Sequence, residues 1–343
     1  MNRSRFLLGA IVLGWALAAL LGGCRRGERE SADQRTSPEA VPLRVALMTP
    51  GPISDDGWNA SAYEGLMKIR EELGAEVAHK ESRNEGQFKQ DFRDFARRGY
   101  QLIIAHGFEY TNAARDVAEE FPETFFVTTG GLPENVRPNY AILQFVIDDG
   151  LYLCGVLAGK LTRTNRLGMI GGQEIQPVVV SFSAFQEGAR SVNPDVRFSI
   201  AYVGNWEDAA KAREQALAQI REGVDLIVQN ADKAGLGVFQ AAKEAQAQGK
   251  QVYVFGTNRD QNHIEPSVVI ASAVLKIPEA FVEMARRVRD GQFQGRLERL
   301  TLKDGWVEVV YNPQLVDRIP PEAQAAVESA REAILSGAEG PEE

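Results

Sequence analysis

Side chains that could do chemistry gather in one early stretch, Gly51-Pro52-Ile53-Ser54-Asp55-Asp56-Gly57-Trp58-Asn59, which runs on to Leu66. Two carboxylates can serve as acid and base. Adjacent residues, however, point different ways on a helix or strand, so Asp55-Asp56 makes no acid/base couple by itself, and neither does Asp148-Asp149. Helix caps or surface charges are the default reading of both pairs. Trp58 is either the edge of a core or a plate on which a flat ligand stacks. The histidines His79, His106 and His263 lie far apart, and none has metal-ligand spacing. His106 follows a strand end and precedes Gly107, where a cleft position is open to it, although a solvated or satisfied loop histidine is the default. Gly235-Leu236-Gly237 lacks the third glycine of a dinucleotide fingerprint, Gln240 standing there, and reads as a tight strand-to-helix turn. Neither a G-x-S-x-G elbow nor a phosphate-binding G-x-x-x-x-G-K-[ST] loop occurs, so no enzyme activity and no cofactor are expected.

The elements that must carry these groups alternate. Val45–Met48 is an apolar run that reads as a buried strand, and Ala62, Leu66, Ile69 and Leu73 have helical spacing after it. Ser54, Asp55 or Asp56 is placed to cap that helix. Strands around Val77, Leu102–Ala105, Phe125–Val127 and Ala141–Leu143 continue the alternation, with helices around Phe88–Arg97 and Asn112–Glu120. The pattern restarts with a helix around Leu151–Leu161. Strands follow at 167–170, 196–202, 226–228 and 252–254, with helices around 179–191, 208–222 and 238–248 between them. Continuous apolar strands between helices predict an α/β fold of two doubly wound parallel-sheet lobes. The remaining pieces, a strand at 268–273, a helix at 278–290, a strand at 307–311 and a helix at 321–336, return to complete the two sheets. One lobe is then 42–147 plus 273–300 and the other 148–272 plus 301–336, with crossings near 147, 272 and 301 that make a hinge and a cleft. In open α/β sheets ligands bind beyond the carboxyl ends of the strands, where Trp58 stands.

The amino terminus has a basic start, an apolar run from Phe6 to Leu21 and small residues before Cys24. Residues 1–23 read as a secretory signal. Leu21-Gly22-Gly23-Cys24 resembles a bacterial lipobox, which makes Cys24 the lipid-modified first residue of an exported, membrane-anchored protein. A signal anchor retained as a membrane helix is the alternative. Residues 24–41 are polar and charged, a tether that spans roughly 20–25 Å as a flexible coil. Cys154 is then the lone remaining cysteine and reads as a buried thiol. The formal net charge is −9 and the chain has no basic stripe with interleaved aromatics, which excludes nucleic acid as a partner.

These residues carry a family resemblance. Val45-Ala46-Leu47-Met48-Thr49, then Asp55-Asp56-Gly57-Trp58-Asn59 with Glu64-Gly65, resembles the opening motif of the basic membrane protein family. Leu153–Gly159, Gly168–Gly172 with Glu174–Val178, Tyr202–Lys211, Phe255-Gly256 with Asp260-Gln261, and Ser272–Lys276 match further on, in order. Those proteins are lipoproteins with the type I periplasmic-binding-protein fold that bind purine nucleosides for ABC importers. The resemblance implies that Trp58 and Trp206, in places usually held by Phe, sandwich a purine, and that Asn59 and Lys276 also line the site. It implies departures too. Pro50, Asn112 and Asn258 stand where the family has Asp, and Asp232 where it has Gly. Asn both donates and accepts and carries no charge. Fewer carboxylates weaken ribose capture, since charge-assisted bonds are the stronger ones, and favour a free nucleobase or another flat heterocycle unless Asp232 substitutes. The expected protein is a monomeric substrate-binding lipoprotein of an ABC importer, with a small-molecule ligand, a permease and a membrane as partners. A ligand-sensing receptor subunit with the same fold is the alternative, and a nucleoside-processing enzyme a more distant one.

Overall fold

The computed structural model describes residues 42–338. The expected signal 1–23, the lipid site Cys24 and the tether 24–41 lie outside the described residues. The first half of the chain runs β1 (Arg44–Thr49), α1 (Trp58–Leu73), β2 (Glu76–Glu81), α2 (Glu85–Arg97), β3 (Leu102–Ala105), α3 (Thr111–Glu120), β4 (Phe125–Thr129) and β5 (Tyr140–Phe145). The second runs α4 (Ile147–Leu161), β6 (Arg166–Gly171), α5 (Gln176–Val192), β7 (Arg197–Tyr202), α6 (Ala209–Arg221), β8 (Leu226–Asn230), α7 (Leu236–Ala247), β9 (Tyr253–Asn258) and β10 (Val269–Leu275). Then come α8 (Ile277–Arg289), β11 (Leu297–Leu300), β12 (Val307–Tyr311) and α9 (Pro321–Ser336).

Two six-stranded sheets result, in the orders β11-β5-β4-β3-β1-β2 and β12-β10-β9-β8-β6-β7. The central strands are buried apolar runs, as a sheet covered on both faces requires. Pairing is parallel throughout except at β12, which lies antiparallel to β10 on the edge. Each order reverses once, between β1 and β3 in the first lobe and between β6 and β8 in the second. Such reversals open a crevice beyond the strand ends.

The chain passes between the lobes after Phe145, after Leu275 and after Leu300. The second crossing falls later than the expected 272, because Ala273 and Val274 still pair with Thr257 and Asn258 of β9. The strand β11 is absent from the sequence expectation and pairs with β5. Asp149 ties the hinge. Its Oδ2 accepts the Leu302 N–H at 3.0 Å, which joins the start of α4 to the third crossing.

Glycines set the closest packing. A Cβ at Gly155 would collide with the Phe185 carbonyl, and one at Gly188 with that of Tyr152, so α4 and α5 meet backbone to backbone. Gly237 lies in the same way against Ala209 of α6. Gly235-Leu236-Gly237 is thus a packing and turn feature of the second lobe. Cys154 of α4 is a free, buried thiol, and burial raises its pKa.

Candidate functional site

The site is built at the two crevices. In the first lobe the loop after β1 turns into α1, and Asp55 caps the helix. Its Oδ1 accepts the N–H groups of Gly57 and Ala60 at 3.1 and 2.8 Å, and its Oδ2 accepts both the Asn59 N–H and Asn59 Nδ2 at 2.8 Å. A carboxylate at a helix amino terminus satisfies otherwise orphaned donors. Of the first acidic pair, Asp55 is thus the cap, at the point where Trp58 begins α1.

The Trp58 indole is half-buried and stacks on the imidazole of His106, which follows β3. The centroids are 3.8 Å apart and the planes 25° from parallel. His106 is fully buried with both ring nitrogens partnered, so of the expected alternatives the solvated one is corrected and the satisfied one stands. Its Nε2 lies 3.1 Å from the Trp58 carbonyl oxygen and its Nδ1 3.1 Å from Thr129 Oγ1. A carbonyl only accepts, so the network assigns the proton to Nε2 and leaves Nδ1 to accept the Thr129 hydroxyl. Burial pushes the His106 pKa down to about 3, so the ring is neutral. The stack bridges the loops after β1 and β3, the first crevice.

The second lobe presents Trp206 in the loop after β7. Its ring lies so close over Gly172, just past β6, that a Cβ there would collide with it. The Trp206 carbonyl accepts the Ala234 N–H at 2.9 Å, which binds this loop to the turn after β8. Asp232 opens that turn in a left-handed conformation, φ 48°. Asn258, at the end of β9, is also left-handed at φ 70°, as is Asp56 in the first lobe at φ 50°. Such backbone is uncommon in non-glycine residues and concentrates at functional sites.

The lobes meet across these loops. A Cβ on Gly57 would lie 3.5 Å from Asp232 Oδ1. Gln261 Nε2 donates to the Asp56 carbonyl at 2.8 Å, Arg83 pairs with Glu207 at 2.5 Å, and Arg259 with Glu64 at 3.4 Å. Burial raises the Asp232 pKa well above the usual carboxylate range. Asp55 and, less strongly, Glu109 add to the rise, and the Trp58 backbone N–H opposes it. Burial also raises Glu109, whose carboxylate folds back over Gly107.

Of the residues singled out in the sequence, Trp58, Asn59, Trp206, Asp232 and Asn258 all stand at the carboxyl edges of the sheets. Asn59 is 4% exposed, and its Oδ1 has no hydrogen-bond partner among the described residues. Asn258 is buried, and no hydrogen bond of its amide occurs among the described residues. Two candidates are turned elsewhere. Asn112 is exposed at the start of α3 and accepts from Asn135 Nδ2 at 3.4 Å. Lys276 pairs with Glu308 of β12 at 3.3 Å. Glu109, Thr257 and Gln261 are not among the candidates read from the sequence, and for His106 its place at a strand end beside Gly107 is the signal that leaves a cleft position open to it. Among the described residues no cluster of side chains could hold a metal ion.

The family model Bmp, described as ABC transporter substrate-binding protein PnrA-like, matches residues 43–335. The chain is 27% identical over 355 residues to the ABC transporter nucleoside-binding protein BmpA of Lactococcus lactis subsp. cremoris, with 98% of each chain covered. It is 27% identical over 277 residues to basic membrane protein A of Borreliella burgdorferi, with 80% of each covered. Its fold is similar to that of a solute-binding protein of an ABC transporter system from Aeropyrum pernix, with a TM-score of 0.80, 22% identity, and 86% of this chain and 92% of that one covered.

Proposed function

The chain belongs to the Bmp family of PnrA-like ABC transporter substrate-binding proteins, and from that premise we propose that its solute is a purine nucleoside or nucleobase-like heterocycle clamped between the lobes. It is a binding protein and not an enzyme. Trp58 and Trp206 are the plates of the clamp, one from each lobe. The observation that carries this reading is the Trp58–His106 stack at the first crevice, which backs one face of the indole; the opposite face is the one we assign to the ligand. The nucleoside-binding name of the Lactococcus relative supports the ligand class. Base–aromatic stacking contributes about 1–3 kcal/mol per base, so two plates supply several kcal/mol.

Asn59 and Asn258 offer amides at the edge of the ring, and Asp232 a carboxyl. Asn112 and Lys276 join the site on a change of partner, Asn112 from Asn135 and Lys276 from Glu308. With Asn in place of two family carboxylates, ribose capture is weaker and a free base competes well. Cys24 carries the lipid, a permease receives the closed form, and the protein acts as a monomer.

The test is calorimetric titration of the refolded protein lacking residues 1–24 with purine bases and their nucleosides, tryptophan emission being read in parallel. Micromolar or tighter binding with an emission change is expected. Trp58→Ala should abolish most of it, a loss of about 1–3 kcal/mol, while the circular dichroism stays unchanged. Normal binding by that variant would remove Trp58 from the site, and silence across the whole panel would remove the purine class.

A further inference from the structure

Two carboxyls in the cleft take no part in stacking. Glu109 follows β3 in the first lobe, with its carboxylate over Gly107, next to His106. Asp232 follows β8 in the second, with Oδ1 against Gly57. Neither has an ion-pair partner among the described residues. The third acid of the neighbourhood, Asp55, has both oxygens occupied by donors of its own turn. Asn59, beside it, commits Nδ2 to Asp55, and its buried Oδ1 is left with no donor. Thr257 Oγ1, buried at the end of β9, is also unpartnered. The unspent acceptors here are thus the two carboxyls and the Asn59 Oδ1, beside the Thr257 hydroxyl, which can also donate.

We propose that the cleft selects a ligand that presents N–H donors or a positive charge to Glu109 and Asp232, that is, an amino-substituted or protonated heterocycle in preference to its oxo or anionic counterpart. The proposal rests on the heterocycle reading above and names the edge that is read. Closing the lobes brings one carboxyl from each side toward the other, and like charges resist that approach. An amino group set between them donates to both, whereas a carbonyl brings a further lone pair and leaves buried acceptors unsatisfied. Sites built to hydrogen-bond one partner reject the mismatched analogue strongly for this reason. Burial raises both carboxyls, and one backbone N–H each, that of Trp58 for Asp232 and its own for Glu109, offsets only part of the rise.

The experiment titrates the protein with adenosine and inosine, in which an exocyclic amino donor beside a bare N1 is exchanged for an oxo acceptor beside an N1–H, and with 2,6-diaminopurine riboside and xanthosine. Adenosine should bind at least about tenfold tighter than inosine, with a wider gap in the second pair. Glu109→Gln with Asp232→Asn should shrink both ratios to within about threefold while ligand still changes the tryptophan emission. Asn tolerates the left-handed backbone at 232, and circular dichroism checks the fold. Oxo ligands that bind as tightly as amino ligands, or ratios unaltered in the double variant, would overturn the proposal and leave the heterocycle reading intact. Failure of all four ligands to bind would overturn both.

Discussion

The imidazole of His106 holds Trp58 twice, stacking under its indole at 3.8 Å and reaching its carbonyl oxygen at 3.1 Å. One buried ring therefore fixes both the plane and the backbone of a residue on the neighbouring loop. His106 is itself fixed by Thr129 Oγ1 and by Phe281, whose ring stands edge-on at 5.6 Å. The stack joins the loops after β1 and β3, so the first crevice is closed beneath by side chains of its own walls. A plate held in this way loses little side-chain freedom when a ligand settles on it, and pre-organisation of that kind is a gain in affinity.

Replacing His106 by Phe keeps a ring under Trp58 and removes both hydrogen bonds. The Trp58 carbonyl and the Thr129 hydroxyl are then left without their partner, at a cost of about 1–3 kcal/mol in stability. The tryptophan emission should shift and ligand affinity should fall severalfold, beyond what the loss of stability alone produces. Affinity equal to wild type in a folded His106→Phe protein would show that stacking alone positions Trp58.

Gly172→Ala tests the opposite plate without touching it. Gly172 has no left-handed backbone, so alanine is tolerated there locally, but its Cβ collides with the Trp206 ring. The ring must swing away, and its stacking contribution of about 1–3 kcal/mol should be lost. Titration should give at least about tenfold weaker binding with a melting temperature within a few degrees of wild type. Unchanged affinity would take Trp206 out of the clamp.

Much of this was legible in the chain. Val45–Met48 and the spacing of Ala62, Leu66 and Ile69 mark β1 and α1 because burial on both faces of a strand, or on one face of a helix, leaves a periodic apolar record. The edge strand β11 left none. Leu297-Glu298-Arg299-Leu300 has one neighbour and an exposed side, so charge is allowed at its centre. The role of His106 under Trp58 was hidden for another reason. A histidine after a strand looks like a loop residue until Trp58, distant in sequence, is laid over it. The orphaned acceptors of Asn59 and Thr257 depend on what the rest of the fold fails to offer them, which no local pattern records.

Gln261 is a buried link across the cleft. Its Oε1 accepts Thr257 N–H at 2.9 Å and Gln229 Nε2 at 2.7 Å, and its Nε2 donates to the Asp56 carbonyl at 2.8 Å. Gln261→Glu keeps the acceptor for the first two and turns the donor into a second acceptor facing a carbonyl. The closed form should lose stability relative to the open one. Stopped-flow emission should show ligand release about tenfold faster, and small-angle scattering a larger radius of gyration. The exposed pair Arg259–Glu64 adds little to the latch, so 0.5 M salt should change the release rate by less than about threefold. A Gln261→Glu protein with unaltered release would place the closing energy elsewhere.

The hinge carries a pH signature. Burial, then Asp149 and Glu187, raise the Asp148 pKa from 3.8 to about 6, with Arg299 opposing. The folded value lies above the unfolded one, so the native state holds this proton more tightly. Asp148 therefore costs nothing below its ordinary pKa, and the penalty grows as pH rises toward 6 and is complete above it. Asp148→Asn removes the charge but keeps the shape. It should stabilise the protein by about 1–2 kcal/mol at pH 7.5 after allowance for solvent screening, and by nothing measurable at pH 4. Denaturant titrations of both proteins at the two pH values decide it. An equal gain at both would mean that the amide improves packing or capping, and a loss at pH 7.5 would mean that the ionised carboxylate is needed at the amino terminus of α4.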